Sequence, residues 1–228
     1  MSILPDKIRS KGLFLTLEGG EGSGKSTQIA LLKERLEQDG YSVTATREPG
    51  GTPGAEAIRN VILSGEAEEL GPEFEASLFA AARIDHVQNL ILPNLLDGKI
   101  VLCDRFIDST RVYQGVTGDV EMKTLYAMEK LIENSAWPDK TLILDIDPEV
   151  GMARAAERRN KNAIPDRFEK EGLDVQVARR NAFLDIANNE PERCSVIDAS
   201  GSASQVHRNI WEAVAPVIAE LGEQTDGR

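Results

Sequence analysis

Five short apolar runs punctuate the chain, and between them apolar residues recur at helical spacing. The runs are Leu13–Gly19 (LFLTLEG), Tyr41–Glu48 (YSVTATRE), Lys99–Asp104 (KIVLCD), Thr141–Asp147 (TLILDID) and Cys194–Ala199 (CSVIDA). Their length and composition read as strands. Helical spacing fills Lys25–Asp39, Gly54–Leu63, Pro72–Leu96, Val120–Asn134, Pro148–Arg159, Leu173–Asn189 and Ala203–Leu221. Pro93 and Pro216 fall inside two of these and should kink or interrupt them, because proline lacks the N–H that a helix interior needs. Strand–helix alternation predicts an α/β fold: a five-stranded parallel sheet with helices on both faces. IVLC and LILDI, apolar almost throughout, suit central strands. No repeat or linker divides the chain, so residues 1–228 read as one domain, with flexible ends at 1–11 and 223–228.

Composition narrows the function. The 228 residues carry 26 Lys and Arg against 38 Asp and Glu, a formal charge of −12, which argues against a nucleic-acid-coating surface. With two cysteines, Cys103 and Cys194, there is no disulfide framework, and both read as buried thiols. No stretch reaches the length of a membrane span and the first residues do not form a signal peptide, so the expected compartment is the cytoplasm.

The chemistry starts at TLEGGEGSGKST. Gly19 to Ser26 satisfy G-x-x-x-x-G-K-[ST] between a strand and a helix, the setting in which backbone N–H groups and a helix N-terminus cradle phosphates. Gly19, Gly20, Glu21, Gly22, Ser23, Gly24, Lys25, Ser26 and Thr27 are therefore the expected ATP-binding residues. Lys25 should reach the β- and γ-phosphates, and the Ser26 hydroxyl should bind Mg²⁺. A guanine-reading N-K-x-D element fails at Ala163 of NKNA, and a transporter-type L-S-G-G-Q signature breaks in LSGEA at Leu63–Ala67. Phosphoryl transfer to a small molecule becomes the leading class.

Four further segments fall at or near the carboxyl ends of strands: TREPGGTPGAEAIR (Thr46–Arg59), LFAAARIDH (Leu78–His86), CDRFIDSTRVYQG (Cys103–Gly115) and ARAAERRNKNAIPDRFE (Ala153–Glu169). In this order behind a P-loop they resemble the bacterial thymidylate kinases, from about Leu13 to the last helix. The resemblance implies the P-loop nucleoside monophosphate kinase fold, transfer of the ATP γ-phosphoryl group to dTMP, Mg²⁺ as cofactor and a homodimer, with neither nucleic acid nor membrane as partner. It also implies that Phe79 stacks on thymine while Arg83 donates to its O4, and that Tyr113 sits under the deoxyribose, crowding a 2′-hydroxyl. Glu21 then lies near the sugar, and a lid covers about 153–169.

The residues support these assignments to different degrees. Phe79 and Arg83 share a helical face, although a core phenylalanine beside a solvated arginine would look the same. Asp104 can hold the Mg²⁺ shell, and Arg105 and Arg59 can clamp the dTMP phosphate; a strand-end ion pair is the plainer alternative. Thr110 and Gln114 should face the base, Tyr113 could instead anchor a turn, and Gly115 and Gly118 suit a mobile loop. Glu48 is placed to accept from Arg47 or from a phosphate-binding arginine. Gly22 stands where some family members carry the catalytic arginine. Arg154, Arg158, Arg159 and Arg167 give the lid-arginine pattern instead, with Arg158 or Arg159 as catalytic cation. A related kinase for another nucleotide or nucleoside, or a non-catalytic ATP-binding module, are the competing readings.

Overall fold

The structure, a computed structural model, describes residues 12–65, 67–159 and 171–226. The expected flexible extension at 1–11 and most of the lid beyond Arg159 lie outside the described residues, as do the last two residues of the tail. Strands β1 (Leu13–Glu18), β2 (Val43–Arg47), β3 (Ile100–Asp104), β4 (Lys140–Asp145) and β5 (Cys194–Asp198) form one sheet in the order β2-β3-β1-β4-β5. Every pairing is parallel. β1 sits between β3 and β4, so the chain leaves it toward one side of the sheet and later returns to the other. The loop after β1 therefore opens at the point where strand order reverses, the crevice where open α/β sheets bind ligands.

Alternation along β1 sorts the core. Leu13, Leu15 and Leu17 face helices α1 (Lys25–Gln38) and α9 (Ala203–Asp226), against Leu32, Leu36, Ile210 and Val214. Phe14 points the other way, into Val87, Ile91, Val101 and Phe106. Near β4 and β5 that second face is covered by α8 (Leu173–Asn189), through Ala182 and Phe183. Both faces are thus apolar, which explains why the strands read as unbroken hydrophobic runs.

Pro93 interrupts its segment as expected, and other helical expectations are corrected. The segment Pro72–Leu96 divides into α3 (Pro72–His86), a π-helical turn (Val87–Ile91) and α4 (Leu92–Leu96). Leu92 N–H bonds back five residues to Val87 O, so the wide turn absorbs the donor that Pro93 lacks. Pro216, by contrast, lies inside an uninterrupted α9. The mobile loop expected at Gly115 and Gly118 is helical at the first of these: α5 (Ile107–Thr110) runs into a π-helical stretch, Arg111–Val116. Gly115 is packed there, since a Cβ on it would meet Met122 Sδ at 2.8 Å. The elements completing the chain are α2 (Pro53–Ser64), α6 (Met122–Glu129, shorter than expected) and α7 (Pro148–Arg159).

Candidate active site

The loop between β1 and α1 wraps around its own lysine. Lys25 Nζ donates to Gly19 O at 3.1 Å, Gly20 O at 3.0 Å and Ser23 Oγ at 3.3 Å, while Ser23 Oγ donates to Gly20 O at 2.9 Å. Burial, followed by the Arg105 charge, lowers the ammonium to about 8. Gly24, in the left-handed conformation, turns the chain into α1. Gly22 is required for a different reason. At φ 66° its missing side chain leaves room for α7, because a Cβ would lie 2.0 Å from Gly151 O.

Ser26 Oγ donates to Asp104 Oδ2 at 2.8 Å, which joins the start of α1 to the end of β3. A hydroxyl and a carboxylate are hard oxygen donors of the kind Mg²⁺ accepts when substrate phosphates and water complete its shell. No group of three or more His, Cys, Asp or Glu gathers among the described residues. Ser26 and Asp104 line the same cleft as Lys25.

From this loop a cleft of about 280 Å³ extends over Arg47, Glu48, Pro49 and Arg59 to Phe79, Arg83, Arg105, Thr110, Tyr113 and Gln114. It also touches Glu21, Gly22, Gly24, Lys25, Ser26, Thr27 and Asp104. Every expected acceptor residue is thus on one wall system with the phosphate loop. Gly19, Gly20 and Ser23 do not line this cleft; they are the carbonyl and hydroxyl partners of Lys25.

Buried Arg83 donates through Nε to Glu48 Oε2 at 2.7 Å and through Nη2 to Thr110 Oγ1 at 2.8 Å and Phe106 O at 3.1 Å. Those bonds use Nε and Nη2, and Arg83 lines the cleft. The sequence left Glu48 with Arg47 or a phosphate-binding arginine; its partner is Arg83. Arg47 turns to Glu56 at 3.1 Å instead, because neighbouring strand residues point to opposite faces. Arg59 Nη1 donates to Pro49 O at 2.7 Å. Gln114 Nε2 donates to Glu75 Oε1 at 2.9 Å, and Thr110 gives its oxygen to Arg83, so both reach the cleft with a polar group already engaged.

Arg105 adopts φ 69°, a strained value for a residue with a Cβ. The turn is held from below. Buried Glu18 accepts from Phe106 N–H at 2.7 Å, Ser109 N–H at 3.2 Å and Ser109 Oγ at 2.6 Å. Burial, then the Asp108 charge, raises the Glu18 carboxyl to about 7. Asp104 forms its bond with Ser26, whereas the Arg105 guanidinium bonds Ser109 Oγ at 3.1 Å and lies 4.0 Å from Glu21, so the strand-end pairing of Asp104 with Arg105 is not formed. The guanidinium carbons of Arg105 and Arg179 lie 5.0 Å and 4.1 Å from the Tyr113 ring centroid.

Of the lid arginines, Arg154 is engaged elsewhere, donating to Ala199 O at 3.0 Å and Ser200 O at 2.9 Å. The side chains of Arg158 and Arg159, and all of Arg167, lie outside the described residues. Sequence reasoning missed Glu18, His86 and Arg179. It also missed a buried network in which Arg193 binds both oxygens of Asp108 at 2.7 and 2.8 Å and Arg111 binds both oxygens of Glu129 at 2.7 Å. For Glu18 the available signal was a charged residue inside an otherwise apolar strand.

A phosphate-cradling loop facing a cationic pocket across one cleft, at the carboxyl edge of a parallel sheet, defines a P-loop kinase that acts on a small anionic acceptor. The family model for thymidylate kinase matches residues 17–210, and the chain belongs to that family. It is 54% identical over 204 residues to a thymidylate kinase of Bradyrhizobium sp. strain ORS 278, covering 90% of each chain. Against the thymidylate kinase of Bradyrhizobium sp. strain BTAi1 the figure is 53%, with the same coverage. Among solved structures, the crystal structure of thymidylate kinase from Ehrlichia chaffeensis superposes with a TM-score of 0.72 at 33% identity, over 89% of this chain and 98% of that one.

Proposed function

We propose that the protein transfers the γ-phosphoryl group of ATP to dTMP, giving dTDP and ADP, as a single-domain cytoplasmic homodimer. The observation that carries this reading is the single cleft joining Lys25, Ser26 and Asp104 to Phe79, Arg83, Arg59 and Arg105. ATP phosphates displace the loop carbonyls from Lys25 and take the backbone N–H groups of the loop. Ser26 and Asp104 would hold Mg²⁺, which would supply charge neutralisation for the phosphates. Phe79 stacks on the thymine, and Arg83 offers Nη1 to O4. Arg59 and Arg105 hold the acceptor phosphate, and Glu21, beside Arg105, lies near the sugar and orients the substrate. Tyr113 lies under the sugar, where its ring crowds a 2′-hydroxyl. The acceptor phosphate has a second pKa of about 6 and is already a dianion near neutral pH, so positioning and charge stabilisation suffice without a strong general base. No helix among the described residues is long and apolar enough to cross a membrane.

ADP release measured with dTMP, dUMP, dCMP and thymidine in turn tests the assignment, with dTMP expected to be strongly preferred. In the same assay Arg83→Met should raise KM for dTMP about ten- to a hundredfold, the cost of one charge-assisted hydrogen bond, and leave KM for ATP near the parental value. Equal losses for both substrates would make Arg83 a structural residue.

Lys25 adds a pH signature. With its free-enzyme value lowered to about 8, the amine is largely neutral at pH 9. Bound phosphates favour the ammonium, so ATP binding at that pH should take up close to one proton, and affinity should decline as pH rises through this range. Titration calorimetry in two buffers of different ionisation enthalpy reads the uptake. It should vanish in Lys25→Met; identical uptake in that variant would place the titrating group elsewhere.

A further inference from the structure

Behind Arg83 lies a buried histidine for which the reaction above has no use. His86 is the last residue of α3, three positions after Arg83, and is fully buried. Its Nδ1 lies 3.1 Å from Glu48 Oε1 and its Nε2 lies 2.7 Å from Thr46 Oγ1. An ionised carboxylate only accepts, so Nδ1 carries the proton and donates to Glu48. In the neutral ring Nε2 then accepts from the Thr46 hydroxyl. The Gly50–Gly51 turn closes over this pair. A Cβ on Gly51, at φ 90°, would fall 2.5 Å from Thr46 Oγ1 and 2.7 Å from His86 Nε2.

Each oxygen of Glu48 thus has its own donor, Arg83 Nε on one and His86 Nδ1 on the other. A carboxylate fixed at both oxygens cannot swivel about its terminal bond. The Arg83 fork is then held by Glu48 at Nε and by Phe106 and Thr110 at Nη2, which fixes the plane of the guanidinium and the direction of Nη1. We propose that His86 is a positioning residue for acceptor recognition: by locking Glu48 it aims Arg83 at the base edge of the nucleoside monophosphate. Without it, one Glu48 oxygen is unpartnered, the carboxylate turns, and Arg83 loses its outer anchor. The inference rests on assigning Arg83 to the acceptor base.

Steady-state kinetics of the full chain with dTMP and ATP varied separately tests it, on His86→Gln, His86→Asn, Thr46→Val, Arg83→Met and the His86→Gln/Arg83→Met pair. His86→Gln moves the amide donor away from the Nδ1 position and should raise KM for dTMP about tenfold, the order expected for a hydrogen bond to a charged group. KM for ATP and kcat should stay close to parental. His86→Asn places an amide N–H near the Nδ1 position and should recover most of the loss. Thr46→Val should give a smaller rise in the same constant, and it reports on the chain even if the histidine variants unfold. In the Arg83→Met background, His86→Gln should add almost nothing, because residues acting through one another are not additive. A purely structural histidine would add its full effect there and shift both substrates alike; either result overturns the proposal. Parental dTMP KM in His86→Gln beside a large rise in Arg83→Met overturns this inference alone. Parental dTMP KM in Arg83→Met overturns the base assignment as well.

Discussion

A Lys25→Ala variant is expected to fold as stably as the parent or more so, yet to transfer phosphate about 10²–10³-fold more slowly, the usual effect of removing one preorganised charge-stabilising donor. In the free protein the ammonium is buried among two loop carbonyls and a hydroxyl, and its titration falls from 10.5 to about 8. A lysine whose folded value is lowered costs stability while both states are protonated, and the cost fades as pH rises from about 8 to 10.5. At pH 7 the whole penalty is present, on the order of 3 kcal/mol. Removing the side chain relieves it, and water can reach the carbonyls left behind. Melting temperature and single-turnover rate, measured together at pH 7, check both halves. A folded variant with near-parental turnover would take Lys25 out of the phosphate site; a sharp fall in melting temperature would make it a structural residue.

The double change Arg158→Ala/Arg159→Ala should lower the phosphoryl-transfer rate about 10³–10⁵-fold, the range that arginine fingers contribute in related chemistry. On the proposed mechanism the migrating phosphoryl group needs a cation beyond Lys25 and Mg²⁺. Gly22 has no room for a side chain, and Arg154 is tied to Ala199 and Ser200. The two arginines close the helix that rests on the phosphate loop at Gly151, about 10 Å further along its axis at 1.5 Å per residue. If they act in the transition state, kcat and kcat/KM fall together and dTMP affinity changes little. Parental rates in the double variant would leave Arg158 and Arg159 outside the chemistry.

The sheet, the phosphate loop and most helices were legible because local periodicity encodes them. The π-helical turns were not. Period arguments separate 3.6 from 2, whereas a five-residue hydrogen bond arises where packing or a proline asks for it, as at Leu92 and Val87. Thr110 and Gln114 were expected to face the base, but each spends a polar group on a neighbour, Arg83 and Glu75. Glu18 reads as part of an apolar strand, and its partners Phe106 and Ser109 lie about ninety residues away in sequence. His86 was quoted within a motif and given no role, since Glu48 lies thirty-eight positions before it. On the acceptor side it was the resemblance to a family, together with helical spacing, that marked Phe79 and Arg83. Neither residue type announces a thymine site alone.

The contact between Gly22 and Gly151 has a consequence for how this enzyme can be rebuilt. A side chain on Gly22 would collide with the Gly151 carbonyl at 2.0 Å, and one on Gly151 would meet the Glu21 carbonyl at 2.4 Å. Each glycine is the mould of the other's backbone. Loop and helix therefore form one closely packed unit. A chimera that imports an arginine-bearing phosphate loop from a relative must import the helix seated on it too. A single substitution of Gly22 by arginine would set the new side chain against the backbone of α7.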